Sequence, residues 1–276
     1  MKNFFKTRIV SLFGIIALIA VIGISMAACD LFGDEEKSYS YVITGSGSSF
    51  TAMSDGKTVS SGNMTKILDD IRTNAGGNNV SIQFGNGTNT LSFGSLTNYV
   101  IFQGSWGQIT LSGKVEGVGL ATSPVLRFQD NVVVFSSADI SQNAGGTAVR
   151  LAGNSKLTVT SGTISVTSGT AIQSGYTADA HSGELNISGG TVQSTAASGN
   201  AIAVQNGGKV TLSGNATITS ENTSLSPYQG TIYLQSKAEG VSDPVLTIGP
   251  GVTITNANSR PEIGNSNNLV IVDNRE

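Results

Sequence analysis

Along most of this chain apolar residues alternate with small hydroxyl residues in short runs, each interrupted by glycine, as in 156-KLTVTSGTISVTSGTAIQSG-175. An apolar residue at every second position marks a strand with one buried face. The same pattern returns as LTVTSGTI from Leu157, LNISGGTV from Leu185, VTLSGNATI from Val210, LTIGPGVTI from Leu246 and, more loosely, VVVFSSADI from Val132. Taking equivalent starts at Val80, Ile109, Val132, Leu157, Leu185, Val210, Leu246 and Leu269 gives steps of 29, 23, 25, 28, 25, 36 and 23 residues, a repeat with insertions. A second series precedes these strands: NYVIF near Val100, PVLRF near Val125, TAVRL near Val149, TAIQS near Ile172, NAIAV near Ile202 and GTIYL near Ile232. Each period therefore holds about three short strands.

Two architectures compete for many short strands. An antiparallel sandwich or barrel would join longer strands by hairpins. Here each strand finds its nearest relative about one period later and in the same phase, so that relatives stack in parallel at the usual ~4.8 Å spacing. Ser-Gly, Ser-Gly-Gly and Ser-Gly-Asn at the bends tolerate the positive φ that a corner within one coil demands. The predicted fold is all-β, a parallel β-helix of about eight rungs with three short strands per coil. Only one helix is predicted in the mature chain. In 63-NMTKILDDIRTNAGG-77, Met64, Ile67, Leu68, Ile71 and Ala75 share a face, Asn63 can cap the start and Gly76-Gly77 ends the run. Asp69, Asp70 and Lys66 fall on its solvated side.

This pattern over residues 40–276 resembles the right-handed parallel β-helix proteins of pectate-lyase-like architecture, and the resemblance implies a right-handed coil with an N-terminal capping helix. Such a cap answers a physical need, since an end coil otherwise exposes core side chains and unpaired strand edges.

The first residues read differently. MKNFFKTR carries three basic residues and no acid, and 9-IVSLFGIIALIAVIGISM-26 is an uninterrupted apolar run, the layout of a secretion signal. At its end, 26-MAAC-29 holds the single cysteine and resembles the bacterial lipoprotein signal, with Met26 in place of the usual Leu. That resemblance implies that Cys29 becomes the acylated first residue. The competing reading is an uncleaved membrane anchor, for which the apolar run is long enough. The expected divisions are a signal peptide at 1–28, an acidic tether at 29–38 (30-DLFGDEEKS-38), a strand and capping helix at 39–79, and the β-helix at 80–276.

Composition narrows the function further. The chain is 276 residues long with 12% charged residues, and without residues 1–28 its formal charge is −6 against −3 for the whole. Nothing in that balance asks for nucleic acid. One cysteine excludes an internal disulfide framework.

Chemistry in such a solenoid would sit on the outward columns. Lys156, Glu184 and Lys209, each just before a core strand, form a ladder of alternating charge. In the preceding strand the outward positions are Ile101, Arg127, Arg150, Gln173, Ala203 and Tyr233, of which Arg127, Arg150, Gln173 and Tyr233 form a candidate face for an acidic or sugar ligand. Many members of the resembled group cut acidic polysaccharides, but residues 80–257 hold eight carboxylates, none adjacent or two apart. The Asn-Thr-Asp, Asp-Asp and Gly-His-Gly signatures of the polygalacturonase relatives are missing from the coils. The segment 176-YTADAHSGE-184 offers Asp179 and His181, too little for a metal site. The expectation is a lipid-anchored, exported, non-enzymatic β-solenoid of the bacterial cell envelope, without cofactor or metal. It would be structural or adhesive, and would meet the membrane through its lipid and a glycan or an envelope or matrix protein through its face. The alternative is a carbohydrate-active enzyme, a polysaccharide lyase or glycosidase, of the same fold.

Overall fold

The computed structural model describes residues 37–93, 100–118, 124–175, 183–223, 230–236, 242–256 and 269–273. Cys29, the expected signal peptide and most of the expected acidic tether lie outside them, as do Asp179 and His181. The described chain is an all-β solenoid whose strands pair mostly in parallel with the turns before and after. Leu157 stands beside Leu185, Leu185 beside Val210 and Val210 beside Leu246, as the repeat predicts.

Each turn has three faces. On the first, Val80, Ile109, Val133, Leu157, Leu185 and Val210 form an inward column, and on the second Val115, Ile140, Ile164, Val192 and Ile218 do the same. The third stacks Leu126, Val149, Ile172, Ile202 and Ile232. All of these side chains are buried in one continuous core. Each gains roughly 1.5–3 kcal/mol over an exposed position. Three of the polar residues enclosed at the turns serve backbone groups: Ser194 Oγ donates to Gly169 O at 3.1 Å, Asn222 Nδ2 to Gly199 O at 2.9 Å, and Asn200 Oδ1 accepts from Gly230 N at 2.8 Å.

The rung count is corrected. The solenoid makes about five turns, not eight. Among the described strands, only between Ile109 and Ser236 is every strand of a turn paired on both sides. Two of the eight expected starts also move. Val133, not Val132, lies beside Ile109, and Val132 takes the outward position beside Lys156, 47% exposed. Further along, the strand Val132–Gln142 holds one more residue than its partner: Leu111 pairs with Phe135 but Gly113 with Ala138. Ser137, at φ 58°, takes up the bulge. Leu269 stands beside Ile232 on the third face, not in the Leu157 column.

Before the solenoid the chain builds an extension of the first face. Ser38–Ser46 pairs in parallel with Asn79–Phe84, and on its other side Ser49–Ser54 and Lys57–Gly62 continue the sheet in antiparallel fashion. Helix α1, Met64–Ala75, follows. Asn63 Oδ1 accepts the Lys66 N–H, Gly76 ends the helix at φ 58°, and Met64, Ile67, Leu68, Ile71 and Ala75 are buried, as the periodicity predicts. The helix packs on the two antiparallel strands and on Val100–Phe102 of the third face.

Candidate ligand-binding face

The third face carries its outward residues in strict register because its strands pair without a bulge. Ile101 stands beside Arg127, Arg127 beside Arg150, Arg150 beside Gln173, Gln173 beside Ala203 and Ala203 beside Tyr233. Adjacent strands lie about 4.8 Å apart, so the two guanidinium groups and the amide occupy successive steps of one short column. Arg150 Nε donates to Gln173 Oε1 at 3.1 Å, which fixes the plane of the guanidinium. Arg127 Nη2 reaches Gln129 Oε1 at 3.5 Å, the next outward residue of its own strand. Both arginines and Gln173 are partly buried. Guanidinium forks so presented match carboxylates in bidentate fashion.

The face changes character further along. Ala203 is 4% and Tyr233 5% exposed, and all four residues of Ile202–Gln205 are buried. Tyr233 therefore shares the column but not its surface. The accessible part is Arg127, Arg150 and Gln173, extended by Gln129, which a column of one residue per turn leaves out although the alternation of Leu126–Gln129 turns it outward.

No family model, curated protein or solved structure matches this chain.

Glu184, Asp139 and Glu116 are held by groups one turn away. Glu184 lies 3.1 Å from Lys156 Nζ and 3.9 Å from Lys209 Nζ, the alternating ladder read from the sequence. Asp139 accepts the Thr163 N–H at 2.9 Å and lies 3.8 Å from Lys114 Nζ, while Glu116 accepts from Asn143 Nδ2 at 2.5 Å. Stacking does bring two acids near each other on the second face, since Lys114 stands beside Asp139 and Glu116 beside Ser141. Both are tied to donors of the adjoining turns. Among the described residues no group of three His, Cys, Asp or Glu side chains could hold a metal ion.

Proposed function

We propose that this protein is an exported, lipid-anchored β-solenoid with a structural or adhesive role at the bacterial cell envelope, its coil right-handed and its first turn covered by α1. Its column Arg127, Arg150 and Gln173 binds carboxylate groups of an acidic glycan or of an envelope or matrix protein. The observation that carries the reading is the uninterrupted register of those three residues on successive turns, with Arg150 braced by Gln173 at 3.1 Å. An extended polyanion would meet both forks and the amide at once, so that weak single contacts add up. The turns' carboxylates support a scaffold over an enzyme, because Glu184, Asp139 and Glu116 are all engaged in ladders between turns. The address rests on the sequence: the basic start, the apolar run and Cys29 after two alanines.

Binding of the full-length protein to immobilised polygalacturonate, compared with neutral amylose, tests the face. Arg127→Ala with Arg150→Ala should weaken polygalacturonate binding by roughly tenfold or more, with a steep loss in added salt for the parent protein and little change in melting temperature. Equal binding by parent and double variant removes the arginine face. The anchor is tested apart from it: Cys29→Ala should abolish incorporation of labelled palmitate, and undiminished labelling would remove the lipid from the proposal.

A further inference from the structure

Beside the arginine column, where α1 meets the third face, lies a cleft of about 600 Å³ lined by Arg72, Gln103, Ser105, Trp106, Gln129 and Asp130. Trp106 is the only tryptophan of the chain and sits in a Gly-Ser-rich link, 104-GSWG-107, rather than at an inward strand position. Its ring is held from two directions. One side packs on Phe102, with centroids 5.8 Å apart, and Phe102 continues through Phe128 to Phe135 as an aromatic stack. The indole N–H donates to Gln103 O at 3.1 Å. The ring is thus fixed in place before any ligand arrives, and it is only partly buried.

The polar groups around it are of two kinds. Arg72 is already balanced, with Nη2 on Asp69 Oδ1 and Nη1 on Gln103 O, each at 2.9 Å. Asp130 is exposed and held at φ 58° over Gly153, with Oδ1 accepting the Asn154 N–H at 2.8 Å. Its second oxygen and the amides of Gln103 and Gln129 supply acceptors and donors around an aromatic plate. An apolar ring face edged by hydroxyl groups is the ligand shape that such a plate and rim complement. A carboxylated ring would be repelled by Asp130.

From this the geometry points to a subsite for a neutral sugar ring, seated on Trp106 with its hydroxyl groups bound by Asp130, Gln129 and Gln103. The subsite rests on the cleft alone and stands whether or not the arginine column binds polyanions.

The sole tryptophan is also the probe. Full-length protein in detergent micelles, titrated with cellotetraose, mannotetraose and tri-N-acetylchitotriose, should show a saturable change in tryptophan emission with at least one of them. Asp130→Asn keeps a residue at ease with positive φ and should weaken that sugar roughly tenfold or more. Gln129→Ala, remote from that backbone constraint, should weaken it by a smaller factor. By calorimetry Trp106→Ala should lose the binding heat, and Arg150→Ala, which leaves the Arg127 contact to Gln129 in place, should retain it. Absence of a saturable change with all three sugars overturns the subsite. So does binding that both Asp130→Asn and Gln129→Ala leave at parental strength while their melting temperatures are parental.

Discussion

The strands Glu184–Ile187 and Val245–Ile248 are built alike, ELNI and VLTI, and both align with Lys209–Leu212 in the same register. Yet Leu185 and Ile187 are fully enclosed, while Leu246 is only partly buried and Ile248 is 51% exposed. The difference lies outside the strands themselves. Glu184–Ile187 has a paired turn on each side, whereas among the described residues Val245–Ile248 pairs only with the turn before it. In a stack of nearly identical layers, burial belongs to the neighbours as much as to the residue, and stability is a sum of interfaces between turns. Leu246 and Ile248 occupy inward register positions, as the repeat predicts, without being enclosed there.

Truncation should separate the two strands most strongly. Leu185→Ala removes a fully enclosed side chain from a core that cannot collapse around the void, and should cost about 2–5 kcal/mol. Ile248→Ala, at a half-exposed position, should cost about 0.5 kcal/mol. Urea unfolding of the two variants checks this, and equal losses would break the comparison by showing that the last described turn is enclosed in solution.

The corners test the same idea through the backbone. Gly162, at φ 99°, follows the strand of Leu157, and a Cβ there would lie 2.2 Å from Ala138 O and 2.7 Å from Ala138 N of the turn before. On its other side Gly190 approaches so closely that its own Cβ would meet Gly162 O at 2.6 Å. Gly162→Ala therefore has no direction in which to yield, and should cost about 3 kcal/mol. Gly251, at φ 81°, faces a like contact, Gly214 O at 2.4 Å, but belongs to the last described turn, which can shift outward. Its replacement by Ala should cost about 1–2 kcal/mol, mostly for the backbone conformation itself. Melting curves of the pair read the difference.

What the sequence disclosed follows the same logic. The columns through Leu157, Leu185 and Val210 were legible because each of those residues meets the same surroundings once per turn, which repeats the pattern in the chain. The start expected at Val132 is one residue off because 132-VVV-134 has no alternation to fix a phase. Leu269 falls on another face than the repeat predicts because 269-LVIV-272 is apolar throughout and fits either column. The alignment of Arg127, Arg150 and Gln173 was legible, since outward positions inherit the repeat. The cleft was not. Arg72 comes from the helix, Trp106 from a link and Asp130 from a turn, so their meeting depends on how α1 packs against the third face, for which the repeat carries no code.

The smallest effect is expected at α1, where the proposed cover of the first turn contrasts with the exposed last one. Asp70 of that helix is held by the Lys66 ammonium, its strongest partner, and by the Ser60 hydroxyl of the adjoining strand at 2.5 Å. Those hydrogen bonds, with the added attraction of the Lys66 charge, hold its carboxyl below the ordinary carboxylate value. A lowered value means that the folded state favours the ionised form. Its contribution to stability is therefore fully present above the ordinary value and lost as pH falls through the depressed one. Because the pair is solvent-exposed and screened by salt, the contribution is small. Asp70→Asn should lower the melting temperature at neutral pH by about 1 °C. It should also flatten the decline of melting temperature on acidification, since the variant has no carboxyl there to protonate. Parallel acid melting profiles for the parent and Asp70→Asn would show that the bond from helix to strand gives the first turn no pH-dependent hold, and that apolar packing of Met64, Ile67, Leu68 and Ile71 alone keeps α1 in place.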